Sequence, residues 1–95
     1  MNDGQLKPIE RIDGKSILAA GPLGKQPNTL PYRIVLVGLS SGAFAVYSQS
    51  LDEGKTSFAE GNYFRASELA EATERFAFRV ANHAEYLRSI YRVAS

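Results

Sequence analysis

From Ser67 to Ala94 the chain repeats a large or apolar side chain every three or four residues: Leu69, Ala72, Phe76, Val80, His83, Leu87 and Ile90. No glycine or proline interrupts the run. That spacing puts one stripe on one side of a helix about 40 Å long. Glu68, Glu71 and Glu74 fall in its first turns and Arg88 and Arg92 in its last, which complements a helix dipole. Ser67 is placed to cap it, because its hydroxyl can accept a bond from an otherwise orphan backbone N–H.

Upstream the period changes to that of strands. Tyr32 to Leu39 (YRIVLVGL) is β-branched and bounded by Pro31 and by Ser40-Ser41-Gly42. Ala43 to Leu51 (AFAVYSQSL) reads as its hairpin partner. Asp52 to Lys55 is a second turn, and Thr56 to Phe64 a third strand weakened by Gly61. The expected fold is therefore α+β: a three-stranded antiparallel meander packed on one long C-terminal helix over residues 32–95.

The faces of that sheet are uneven. A two-residue connection between the first two strands puts Val35, Val37, Phe44 and Val46 on one side and Tyr32, Ile34, Leu36, Ala45 and Tyr47 on the other. Only Arg33 gives the first strand a polar position, and a strand that apolar is covered on both faces. With the helix on the Val35/Val37 side, Ile34, Leu36, Tyr47 and Phe58 are left as an apolar surface in need of a second cover. A second copy of the chain supplies it in a homodimer; a fold-back of Ile17-Leu18 supplies it in a monomer.

Residues 1–31 hold all four prolines and four of the eight glycines, with one apolar cluster, Ile17 to Ala20. They read as a flexible N-terminal arm.

Composition narrows the classes. Ninety-five residues make a single domain. A net charge of +1 gives no general attraction to nucleic acid or anionic membrane. Without cysteine there are no disulfides and no thiolate metal sites. The single histidine, His83, has Leu87 rather than a second ligand one turn on, so no metal site is expected. Residues 1–7 lack an apolar core of signal-peptide length, and no run approaches the ~18 apolar residues of a membrane span. A cytoplasmic protein without cofactor is expected.

Two patterns could carry function. Gly38-Leu39-Ser40-Ser41-Gly42 fits G-x-S-x-G, the nucleophile turn of α/β-hydrolases. Its context is wrong, since strand-like residues follow it and the chain is far shorter than that fold. The second is the back of the helix, where Arg75, Arg79, Asn82, Tyr86, Ser89 and Val93 share a side roughly opposite the stripe, with Phe78 at its edge. Arginines one turn apart among aromatics suit a protein interface or a phosphate track.

The sequence thus points to a small non-enzymatic module that binds protein and self-associates. Nucleic-acid binding through the helix arginines and the arm is the alternative, and a serine hydrolase fragment around Ser40 the remaining one.

Overall fold

The computed structural model describes residues 8–24, 31–52 and 55–91. Among the described residues, five strands form one antiparallel sheet in sequence order: β1 (Glu10–Ile12), β2 (Lys15–Ala20), β3 (Tyr32–Gly38), β4 (Phe44–Asp52) and β5 (Lys55–Phe64). One helix follows, α1 (Leu69–Tyr91). The three expected strands and the helix are present. The sheet has two more, and both come from the segment expected to be a flexible arm. The rest of that segment, residues 1–7 and 25–30, lies outside the described residues, as do 92–95.

β1 and β2 form because Asp13 and Gly14 both take positive φ, 51° and 76°, and join Ile12 to Lys15 across a two-residue turn. Such a turn matches the right-handed twist of strands. β2 then pairs with β3, Ile17 opposite Val37 and Ala20 opposite Val35.

The helix covers the expected side of β4, with Phe44 and Val46, but the opposite side of β3 from the expected one. The first hairpin loop has three residues, Ser40 to Gly42, closed by Leu39 N–H donating to the Ala43 carbonyl, with Gly42 at φ 92°. One extra residue shifts the register by one and turns every side chain of one strand over relative to the other. Leu36 consequently pairs with Val46 and Val37 with Ala45. Ile34, Leu36 and Val46 are buried with Ala72, flanked by Leu18, Phe44, Phe64, Phe76 and Val80. Ala72, Phe76 and Val80 of the expected stripe are thus seated on Ile34 and Leu36 instead of Val35 and Val37, with His83 buried further along; the Ile90 side chain lies outside the described ones.

The opposite face buries Ile17, Val35, Val37, Ala45 and Tyr47, with no helix over it among the described residues. The sheet covers this face by curling. Lys15 Nζ on β2 stands 5.0 Å from the ring centre of Phe58 on β5, although three strand spacings, about 14 Å, separate those strands in a flat sheet. Bulges in β2 (between Ile17 and Ala19) and between β4 and β5 (at Val46/Ser48) sharpen the curl. Polar side chains cross the same face: Arg33 donates to Glu10 Oε1 (2.7 Å) and Gln49 Oε1 (2.7 Å), and Gln49 Nε2 donates to Thr56 Oγ1 (3.1 Å). Gln49 is fully buried, so both ends of its amide need these partners.

The helix starts one residue later than a Ser67 cap requires. Ala72 N–H donates to the Glu68 carbonyl, and the Glu68 carboxylate turns back to accept from Arg65 N–H at 2.7 Å. Glu68 is therefore the cap and Ser67 stays exposed. At its other end α1 sits close on the β2–β3 connection: a Cβ at Gly21 would meet Val80, and one at Gly24 would overlap Leu87. None of the described helices is long and apolar enough to cross a membrane.

Candidate functional surfaces

At the β4–β5 bulge, Val46 pairs with Asn62 and Ser48 with Ala59, so β5 carries one extra residue there. Glu60 absorbs it at φ 56°, a left-handed conformation uncommon for a residue with a side chain. A bulge interrupts the ladder and leaves carbonyls in need of donors. Arg79 supplies them. Its Nη1 donates to Glu60 O (2.7 Å), Val46 O (3.0 Å) and Asn62 Oδ1 (2.9 Å), and its Nη2 to Ser48 Oγ (2.9 Å). Ser48 in turn donates to Glu60 Oε1 at 3.0 Å. The Arg79 side chain is 15% exposed. Burial lowers its pKa, Glu60 pushes it back up, and Arg75 lowers it further.

Arg79 is thus not part of the outward surface the helical wheel suggested. Three residues of 100° rotation put it about 60° from Phe76, on the flank beside β5 rather than at the back. Arg75, Phe78, Asn82 and Tyr86 are exposed as expected. The sheet-face set divides as well. Ile34 and Leu36 lie under α1, whereas Tyr47 and Phe58 lie on the curled face with ring centres 5.3 Å apart. The four lie on opposite faces of the sheet and form no continuous patch.

His83 is 5% exposed, its ring centre 4.3 Å from that of Tyr32. Neither ring nitrogen has a hydrogen-bond partner of good geometry among the described residues. Burial pulls its pKa below the ordinary value, and the Tyr32 backbone offsets part of that. Arg79, Glu60, Ser48 and Asn82 line the adjoining cleft of about 310 Å³.

Ser40 is exposed at the tip of the first hairpin. His83 packs on Tyr32, at the other end of β3. Six strand steps, about 20 Å, separate the two ends, so they do not form a nucleophile–base pair here. Groups of three or more histidine, cysteine or acidic side chains fit to hold a metal are absent among the described residues.

Ile9 and Leu23 are exposed near the first strands, and a further exposed apolar area lies on the flank of α1 beside β5. Phe78 is 60% exposed there; Tyr63, 66% exposed, stands on the other face of β5, its ring against Tyr47. Phe64, Glu71, Glu74, Arg75 and Phe78 line an open groove of about 820 Å³ between strand and helix. β5 is the end strand of the sheet, ten residues long, and among the described residues no further strand pairs with its outer edge. The sequence marked Phe78 and Arg75. It did not mark the edge, because an edge is a property of strand order and not of any one residue.

No known protein family matches this chain, and no curated protein or solved structure matches it either.

Proposed function

We propose that this chain is a small protein-binding module that associates with a second copy of itself through the α1 flank beside β5. The exposure of Phe78, at the mouth of a groove next to a free strand edge, carries the reading. Large aromatics exposed on a rim of polar residues are the usual anchors of interfaces. The charges there are self-complementary: Arg75 stands beside Glu71 and Glu74. A two-fold axis through the groove lets Phe78 of each copy enter the other's groove and each Arg75 oppose the other's glutamates.

The alternative of phosphate tracking loses its second cation, since Arg79 is committed to main-chain carbonyls. Arg75 remains, next to two carboxylates.

Light scattering across a concentration series tests the proposal. The expected parent mass is twice 10.4 kDa, and Phe78→Asp returns it to the single-chain value with an unchanged circular dichroism spectrum. A parent that stays at the single-chain mass up to millimolar concentration overturns self-association.

A further inference from the structure

α1 lies over β3, β4 and β5, and among the described residues it does not extend over β1 and β2. A cavity of about 450 Å³ opens there, within the range of small-molecule sites. Leu18, Leu39, Phe44 and Leu69 form its apolar lining, and Arg11, Ser16 and Ser40 supply polar groups.

Arg11 is the one charged side chain among the described lining residues. Arg33, Arg79 and Arg88 each face a glutamate. Arg11 makes no ion pair or hydrogen bond among the described residues, and its position opposite Ser16 keeps it on the cavity's side of the sheet. The two hairpin turns that frame the opening are fixed by Gly14 and Gly42, both at positive φ, and neither would have a neighbour within 4 Å of an added Cβ. The backbone at the mouth is therefore open.

We infer that this cavity binds a small amphipathic carboxylate, its apolar body on Leu18, Phe44 and Leu69 and its headgroup on Arg11. A lone guanidinium presents a planar fork that matches the two oxygens of one carboxylate. A phosphate dianion would call for a second cation, which the described lining lacks. A neutral alcohol would leave the guanidinium unused. This site is separate from the α1–β5 flank, so its failure or success leaves self-association untouched.

The test uses the full chain and a series of straight-chain carboxylates, hexanoate to octanoate, kept below micelle formation. Backbone amide shifts at Leu18, Leu39 and Phe44 report occupancy. Each added methylene is expected to tighten binding roughly fourfold as it is buried. Arg11→Gln is expected to weaken octanoate about ten- to hundredfold and to leave 1-octanol unchanged. Arg11 is exposed, so the variant keeps its fold. Octanol binding as tightly as octanoate, octanoate binding unaffected by Arg11→Gln, or saturable shifts confined to another surface would each overturn the inference. Inorganic phosphate displacing octanoate at equal concentration would also overturn the carboxylate assignment.

Discussion

Arg79 Nη1 donates to the main-chain carbonyl of Glu60 at 2.7 Å, so a helix side chain closes a break in the sheet. Glu60 is the residue that makes the break, with its left-handed backbone, and its carboxylate lies 3.9 Å from Arg79 Nη2. The guanidinium that repairs the ladder also fixes how α1 sits over β4 and β5.

Removing it should therefore cost far more than removing its neighbour. Arg79→Met leaves the carbonyls of Val46 and Glu60 without this donor, and about 2–4 kcal/mol of stability should be lost. Arg79→Lys should recover little, because one ammonium cannot span four acceptors. Arg75→Ala should stay within about 0.5 kcal/mol. Urea midpoints of the three variants provide the check, and a Lys variant as stable as the parent would contradict the role given to the fork.

Ile17 is fully buried between Val37 and the curled core, although it belongs to the stretch that reads as an arm. Ile17→Ala should cost roughly 2–5 kcal/mol. Phe76→Ala should likewise be severe and Phe78→Ala mild in the monomer, since Phe76 faces the sheet and Phe78 solvent. A truncation starting at residue 32 should not fold cooperatively.

Stability should fall on acidification through His83. Its folded pKa is depressed by burial, so between the folded value and the unfolded value near 6.5 the unfolded chain binds the extra proton. The sign follows: the contribution is complete above about pH 6.5 and is lost as pH drops from there to the folded pKa. His83→Phe should flatten that part of the stability–pH curve. A parent curve already flat between pH 5 and 7, with carboxylate effects subtracted by the variant, would refute it.

Tyr47 should ionise late. Burial comes first among the causes, and its hydroxyl also donates to Tyr63 Oη at 3.2 Å beside that ring; together they push its pKa up to about 12. The folded state holds this proton more tightly than the unfolded chain, so the associated stability is present below pH 10 and lost as pH rises from 10 toward 12. In an ultraviolet pH titration one tyrosine should lag the others, and Tyr63→Phe should bring it earlier. Equal titration of all tyrosines near pH 10 in folded protein would be the contrary result.

Local pattern alone determined α1, β3, β4 and β5, because each is a long segment with one clear period. The Phe76 stripe is visible for the same reason. The β1–β2 hairpin was also legible, in Asp13-Gly14 between Ile12 and Lys15; the surrounding Gly and Pro residues masked a strong turn signal. Three matters were settled only in three dimensions. Which β3 side chains share the helix face with Phe44 and Val46 depended on whether the connection between β3 and β4 holds two residues or three, since one residue of register exchanges the two faces of one strand relative to the other. Burial of Val35 and Val37 without a helix depended on curl, which accumulates over five strands and belongs to no single one. The inward turn of Arg79 depended on the bulge at Glu60: helical periodicity gives the direction of a side chain, but only the sheet beneath it supplies carbonyls for that side chain to bind.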